Sequence, residues 1–196
     1  MKARLLVASA VGAATLGCAQ PSVIEYRHRG GIEVNDQIEF YDIRGKTLHE
    51  LRIDARVKGP VARDTTFFAV THTSIHWSYS VSRQPSLCRL TNVRTVIDAI
   101  MTLPRWVDSS DVDPAALRWW IDASERVRAH ETEHLQIAVD AAAEIRSLLT
   151  RKTSSDCNLL RQSANDEAGV ILAREREQQL ELDRRTRHGT VLPAAP

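Results

Sequence analysis

The longest periodic pattern in the chain lies between about residues 113 and 149. Mainly apolar residues recur there at spacings of three, four or their sums, which is the period of a helix with one buried face. The members of this stripe are Leu117, Trp120, Val127, His130, His134, Ile137, Ala141, Ile145 and Leu148. Asp113 is placed to cap the helix and Pro114 to open it, while residues 122–124 mark a point where it can break. We therefore predict a long helix from Pro114 to about Leu149.

A second helical pattern extends from Cys157 to about Leu182, after a polar loop at residues 150–156. Because this connection is short, the second helix is expected to run antiparallel to the first. The two helices are therefore expected to form a long helical hairpin.

The amino-terminal part of the chain begins with a strand followed by a short helix. Residues 38–43 favour a strand. Thr47 and Glu50 then have the spacing of a capping box, and Gly59-Pro60 ends the helix that this box begins.

The next segment has the pattern of a β-hairpin. Residues 73–81 alternate between apolar and polar side chains, as in a strand with one buried face. A turn at residues 83–86 leads into the run 87–101, which is rich in Val, Thr and Ile. The predicted fold class is α+β: a small antiparallel β-sheet with a short helix, packed on a long antiparallel helical hairpin.

The first nineteen residues have the organisation of a secretory signal peptide, with basic residues, an uncharged apolar run and then small residues. Cleavage after Ala19 fits this pattern, and so does cleavage before Cys18 with lipidation of its thiol. Either route predicts an extracytoplasmic protein, in the periplasm, on the outer membrane as a lipoprotein, or secreted. A lipid at Cys18 is the expected means of reaching a membrane.

The rest of the chain is long enough for one domain with one core. We assign residues 20–36 to a linker, 37–189 to the domain and 190–196 to a flexible tail. The 26 basic and 25 acidic residues are scattered along the sequence and give a net charge of +1. This distribution argues against nucleic acid as a partner.

The number of cysteines predicts one disulfide. In an oxidising compartment Cys88 and Cys157 can pair, which leaves Cys18 to be removed or lipidated. A bridge that closes a loop of this length is worth about 4 kcal/mol on the chain-entropy model. The alternative is a pair of buried thiols.

Residues 130–134 read His-Glu-Thr-Glu-His, the H-E-x-x-H signature, in the middle of the long helix. Positions i and i+4 share a helix face, so His130 and His134 can bind one Zn²⁺ while Glu131 acts on water at the metal. Composition alone predicts roughly 0.015 such matches in a chain of this length. The alternative is a helix with two buried, hydrogen-bonded histidines and no metal.

Catalytic zinc usually has three protein ligands, so a third ligand is expected on the returning helix. Counting the axial rise from His134 to the loop and back places that ligand near residue 172, where Glu175 is the best candidate. Glu167 and Glu177 are its competitors.

The end of the second helix carries another candidate group. His188 follows Asp183 by five residues and precedes a glycine that lets the chain turn. His188, oriented by Asp183, could donate to the oxyanion of a tetrahedral intermediate, or could itself be the third ligand. A histidine exposed near the chain end is the alternative.

Several motifs together resemble a known bacterial family, the predicted secreted zinc-dependent proteases long catalogued only as a domain of unknown function. The motifs are Tyr41 to Gly45, Gly59-Pro60, Thr73 to Tyr79, Cys88, Leu103-Pro104-Arg105-Trp106, His130 to His134, Cys157 and Asp183-x-x-Thr186-x-His188-Gly189. The resemblance covers about Tyr41 to Pro193, with Leu182 where the family pattern has an aromatic residue. It implies zinc and hydrolysis, and a glutamate as third ligand would make the site similar to that of the gluzincins.

The leading hypothesis is a secreted or envelope-anchored zinc metallopeptidase that acts on a peptide or protein substrate. Glu131 would take a proton from water and pass it to the leaving amine. The alternative is a non-catalytic, metal-stabilised envelope lipoprotein that binds a partner. Its metal would be closed off by four protein ligands, His130, His134, Glu175 and His188.

Overall fold

The computed structural model describes residues 25–29, 31–62 and 64–189. Within these ranges it contains three α-helices, a five-stranded mixed sheet and a separate two-stranded sheet. In chain order the elements are β1 (Glu25–Arg29), β2 (Ile32–Ile43), α1 (Leu48–Lys58), β3 (Val61–Ala62), β4 (Thr65–Thr66), β5 (Val70–Gln84), β6 (Leu87–Trp106), α2 (Pro114–Arg151), β7 (Thr153–Ser154) and α3 (Cys157–Thr186). The α+β class predicted from the sequence is confirmed.

The main sheet has the strand order β1-β2-β6-β5, and β7 pairs with β6. The hairpin predicted around residues 83–86 is present, with β5 antiparallel to β6. However, β2 pairs with β6 in parallel, from Ile32 opposite Thr95 to Ile43 opposite Trp106. The expectation of an antiparallel sheet is wrong at this pairing, because it joins residues far apart in the chain that share no local turn signal.

The segment 20–36, expected to be a linker, contains β1 and the first part of β2. Ile32 and Val34 of β2 are buried in one cluster with Ala138 of α2. Asn35-Asp36 follow directly, and both residue types are rare in strands. They interrupt the apolar pattern, so the sequence indicates only the later part of β2.

α1 has the ends that its sequence predicts. The Thr47 hydroxyl accepts from the backbone N–H of Glu50 at 3.3 Å, and the Thr47 N–H donates to the Glu50 carboxylate at 3.2 Å. At the other end, the Gly59 N–H donates to the carbonyl of Ala55 at 2.8 Å. The predicted capping box and stop are both confirmed.

α2 is one continuous helix capped by Asp113, whose side chain accepts from the backbone N–H of Ala115 at 2.9 Å. The break considered at residues 122–124 does not occur. Ala123 is buried there in one cluster with Trp119, so packing holds this turn against the sheet side of the molecule.

α3 is joined to the sheet at its first residue. Cys157 lies at bonding distance from Cys88 of β6, with the two Cα atoms 5.3 Å apart. The structure places the two cysteines at disulfide distance, as the sequence predicts. Asp156 caps α3, which continues beyond the predicted end to Thr186.

In the described part of the chain, the core consists of three buried clusters that follow one another along the inner face of α2. The first includes Val127 near the middle of α2, and the central one includes Ala138. His130 and His134 lie between these two positions and are themselves buried. The apolar face of α2 therefore carries both histidines into the interior.

In the described part of the chain, no helix is both long enough and apolar enough to cross a bilayer. The predicted signal peptide at residues 1–19, the modified Cys18 and the tail at 190–196 lie outside the described residues.

Candidate metal centre

The two histidines of the H-E-x-x-H motif face each other one turn apart on α2. His130 is 6% exposed and His134 is 8% exposed. Their Nε2 atoms are 3.1 Å apart. The i, i+4 spacing thus brings two imidazole nitrogens to one buried point, as the motif predicts.

Asp183 of α3 brings a third candidate ligand atom to the same point. Its Oδ1 lies 3.4 Å from Nε2 of His130 and 3.1 Å from Nε2 of His134. Among the described residues, these three side chains form the group of ligand atoms that could bind a metal ion, all within 4.8 Å of one another.

Glu175, the predicted third ligand, lies two turns before Asp183 on α3. It is 8% exposed and lines the same cavity, but its carboxylate accepts from Nε2 of Gln179 at 2.7 Å. The structure places Asp183, and not Glu175, beside both histidines. The count along the helices took the start of α3 to lie level with the end of α2. In the structure, Lys152 at the end of α2 pairs instead with Glu167, well inside α3.

A hydrogen-bond network around Thr186 favours one tautomer of His130. The Thr186 hydroxyl donates to the carbonyl of Leu182 at 2.7 Å and has no second proton to give. In this arrangement it accepts from Nδ1 of His130, 3.2 Å away. With the proton on Nδ1, the Nε2 atom of His130 presents its lone pair to the site.

A separate network gives His134 the same tautomer. The side-chain amide of Gln179 donates to the carbonyl of His134 at 3.1 Å and to the carboxylate of Glu175. Its oxygen accordingly faces Nδ1 of His134, which must be the donor. The Nε2 atom of His134 is thus also free to bind a metal ion.

The three convergent atoms fit a bound cation. Two lone pairs 3.1 Å apart repel each other unless a positive charge lies between them, and Asp183 adds a negative charge. Burial, together with the neighbouring His134, lowers the pKa of the His130 imidazole, which favours its neutral form. The separations of 3.1–3.4 Å are close to the roughly 3.3 Å between two ligands of a tetrahedral zinc ion.

Glu131 has the environment of a general base. It is 2% exposed, and its Oε2 atom has no hydrogen-bond partner in the described part of the chain. Burial raises the pKa of its carboxyl. Thr71 of β5 donates to the backbone carbonyl of Glu131 at 3.2 Å, which ties this turn of α2 to the sheet.

His188 lies at the mouth of the site rather than among the three ligand atoms. Its side chain is 51% exposed, and its Nδ1 is 3.4 Å from Oδ1 of Asp183. Its ring meets the ring of Phe67 edge to face at 5.1 Å. The structure thus brings His188 and Asp183 together, as the sequence predicts.

The end of α3 reverses the chain toward His130. Arg187, His188 and Gly189 all have left-handed backbone conformations, with φ of 52°, 58° and 63°. A Cβ atom at Gly189 would lie 2.7 Å from Cδ2 of His130. Glycine is required here because the backbone lies directly against the imidazole ring.

A cavity of about 620 Å³ opens onto these groups. One wall is the beginning of β5, residues 70–73, and the opposite wall is α3, where Arg176 and Leu180 line it. Ala62 and Thr65 of the small β3–β4 sheet close one end. The candidate ligands therefore face a space large enough for part of a bound molecule.

Gln179, Thr186 and Thr71 contact the site, although their sequence positions alone predict no role for them. For the first two a signal exists: Glu175, Gln179, Asp183 and Thr186 recur at helical spacing on α3. A polar stripe on a helix that packs against H-E-x-x-H marks residues that face the metal. Thr71 leaves no such signal, because its contact depends on how β5 lies against α2.

The fold and the site define an α+β protein whose central helix carries H-E-x-x-H and whose last helix adds an aspartate to the two histidines. The chain belongs to a bacterial family of unknown function, described as Bacterial protein of unknown function (DUF922), whose model matches residues 38–189. No match to the chain was found among curated proteins or among solved structures. The family is consistent with the one that the motifs resemble, and its zinc-protease character stays a prediction.

Proposed function

We propose that the protein is a zinc-dependent metallopeptidase that hydrolyses an amide bond in a peptide or protein. The observation that carries this proposal is the meeting of three ligand atoms, two of them imidazole lone pairs, beside a buried carboxylate oxygen without a partner. A metal ion can bind the three ligand atoms, and a water molecule or substrate can donate a hydrogen bond to the carboxylate oxygen of Glu131.

In this proposal His130, His134 and Asp183 bind zinc. When bound, zinc polarises a carbonyl group and lowers the pKa of water toward about 7. Glu131 accepts the proton of the attacking water and delivers it to the leaving amine. Its Oε2 atom has no hydrogen-bond partner among the described residues and is therefore free to accept that proton.

His188 has the position of an oxyanion donor. It lies at the cavity with Nδ1 near Asp183, so a proton on Nε2 can point toward the substrate. The contact with Phe67 orients the ring. A donor that is already placed stabilises negative charge at little reorganisation cost.

We also propose that α2 and α3 form a helical hairpin that carries H-E-x-x-H. Contacts between the two helices support this, since they pair residues in reverse order along the chain. These pairs are Lys152 with Glu167, Glu144 with Arg174, and Glu133 with Arg185. The hairpin would fix Asp183 opposite the two histidines.

An extracytoplasmic location is part of the proposal. The Cys88–Cys157 disulfide supports it, because such bridges persist in oxidising compartments. The pattern of residues 1–19, with a lipid anchor at Cys18 as one route, gives the means of export. Signal-peptide cleavage and lipid attachment can be checked by mass spectrometry of the protein from a bacterial envelope.

The test combines metal content with turnover in the exported protein, purified oxidised and without chelator. The wild type should contain about one zinc per chain and cleave members of a fluorogenic peptide library. Glu131→Gln should keep the zinc and lose about 10²–10⁴-fold in rate. Glu133→Gln is the matched control, since Glu133 points outward to Arg185, and it should keep both zinc and activity.

Two results would contradict the proposal. Absence of zinc from the folded wild type would show that the protein has no zinc site. Full activity in Glu131→Gln would show that Glu131 is not the general base. Stoichiometric zinc without hydrolysis of any library member would instead favour the non-catalytic envelope protein.

A further inference from the structure

Behind His134, on the side away from Asp183, lies a pair of polar residues on α3, of which Glu175 is buried and Gln179 is half-buried. Gln179 faces Nδ1 of His134, and Glu175 lies one turn earlier and faces Gln179. We propose that Gln179, fixed by Glu175, is a positioning residue that sets the tautomer and ring direction of His134. The inference rests on the metal site of the proposed function.

The Gln179 side chain makes three contacts, and each has a definite direction. Its nitrogen donates to the carbonyl of His134 at 3.1 Å and to Oε1 of Glu175 at 2.7 Å, while its oxygen accepts from Nδ1 of His134. Rotating the amide by half a turn would replace two donor–acceptor pairs with two oxygen–oxygen repulsions. The amide therefore has one favourable orientation.

The carboxylate of Glu175 stabilises this orientation of the Gln179 amide. Its side chain is 8% exposed, so a carboxylate there needs a donor, and the Gln179 amide supplies one. A hydrogen bond to an ionised acceptor is about twice as strong as a neutral one. It also polarises the amide, so that its oxygen accepts the imidazole proton more strongly and Nε2 becomes a better donor to a metal ion.

This gives Glu175 a role different from the ligand that the sequence suggests. A buried glutamate at i and a glutamine at i+4 share one face of α3, so the carboxylate acts on His134 through the amide. His130 lacks such a charged relay, because its Nδ1 meets the neutral hydroxyl of Thr186. The structure thus predicts that the two histidines respond differently to substitutions on α3.

The experiment measures zinc affinity by chelator competition in the full chain, together with the visible spectrum of the Co²⁺-loaded protein. Gln179→Met keeps the side-chain length and removes all three hydrogen bonds. It should weaken binding by about 10–100-fold, the range for residues that orient a metal-bound histidine. Gln178→Met is the matched control on the exposed neighbouring position and should bind within twofold of the wild type.

Two further variants test whether Glu175 acts on His134 through the amide of Gln179. Glu175→Gln alone should weaken binding, because the amide of Gln179 loses its charged anchor. The exchange Glu175→Gln with Gln179→Glu gives His134 a carboxylate acceptor directly and should bind at least as tightly as the wild type. A mere structural role of these residues would not produce recovery in the exchange variant.

A ¹⁵N spectrum of the imidazole groups in the metal-free protein gives a readout that needs no metal. His134 should carry its proton on Nδ1 in the wild type and become a mixture of tautomers in Gln179→Met, with His130 unchanged. If Gln179→Met does not fold, the comparison of Glu175→Gln with the exchange variant decides.

The inference is overturned if folded Gln179→Met, Glu175→Gln and the exchange variant all bind zinc within twofold of the wild type. It is also overturned if the tautomer of His134 is unchanged in Gln179→Met. A wild type that binds no divalent metal would contradict the proposed function, while the ¹⁵N spectrum would still test the positioning role of Gln179.

Discussion

Asp183 lies within 3.4 Å of one nitrogen from each of three imidazole rings. As a ligand it would neutralise part of the metal charge, and as a neighbour of His188 it would keep that ring at the mouth of the cavity. One carboxylate thus links the candidate metal site to the side chain proposed to stabilise the transition state. Its substitution should affect both functions at once.

We predict that Asp183→Ala lowers zinc affinity by more than about 100-fold, since loss of an orienting residue alone typically costs 10–100-fold. The measurement is chelator competition on the folded, oxidised protein. Glu181→Ala is the control, because Glu181 is an exposed acid on the same helix that pairs with Arg184. Unchanged affinity in Asp183→Ala would remove Asp183 from the ligand set.

Gly189 allows a second prediction at the level of one residue. Gly189→Ala should weaken zinc binding and destabilise the fold by about 1–2 kcal/mol, because alanine is strained at a φ of +63° and its Cβ would press on the His130 ring. Gly169→Ala is the matched control. Gly169 lies inside α3 with nothing within 4 Å of an added Cβ, so its substitution should stabilise the protein by about 0.5–1 kcal/mol.

These two glycine variants are compared by thermal unfolding and by zinc titration. If Gly189→Ala binds zinc as tightly as Gly169→Ala, the turn after α3 has no influence on His130. If both variants are destabilised alike, the left-handed conformation at Gly189 is not the cause.

Among the elements, the helices are the part of the fold that the sequence predicts best. Thr47, Glu50 and Asp113 form caps with neighbours a few residues away, so the local sequence is enough to predict these contacts. The parallel pairing of β2 with β6 leaves no signal in the local sequence, because the paired residues are far apart in the chain. It depends on the α2 face that covers both strands, so sequence periodicity predicts each strand but not their order.

The same division applies to the candidate site. H-E-x-x-H places three functional groups through the geometry of one helix, and its histidines lie where the motif predicts. Which residue of α3 lies beside the two histidines depends on the register between α2 and α3. In the structure Lys152, at the end of α2, pairs with Glu167 well inside α3, so axial counting from the loop selects Glu175 instead of Asp183.

The disulfide leads to a prediction about α3 as an element. Replacing Cys88 and Cys157 by alanine should lower the free energy of unfolding by about 4 kcal/mol on the chain-entropy model. Zinc affinity in the folded variant should change little, because Asp183 lies about 39 Å along α3 from Cys157 at the usual rise per residue. Denaturant unfolding and zinc titration measure the two effects separately.

The wild type reduced by dithiothreitol is the control for that variant and should show a similar loss. A loss below about 1 kcal/mol would mean that packing alone holds the start of α3. A large drop in zinc affinity in the folded variant would mean that the junction also sets the register at the metal centre.

At the scale of the whole molecule, the candidate metal centre would attach the far end of α3 to the rest of the fold. The disulfide joins the start of α3 to β6, and the two histidines and Asp183 join its other end to α2. Between them the core clusters follow the length of α2. A metal ion that binds only the folded state would therefore stabilise the complete fold by mass action.

We predict that removal of zinc by a chelator lowers the unfolding temperature of the wild type by about 5–10 °C. Zinc at 100 times its dissociation constant contributes about 2.7 kcal/mol, and each kcal/mol corresponds to about 2–4 °C for a domain of this size. Glu131→Gln should show the same shift, because the base is not a ligand. His134→Ala should show none, since it lacks one of the two imidazole nitrogens, and an equal shift in that variant would place the zinc at another site.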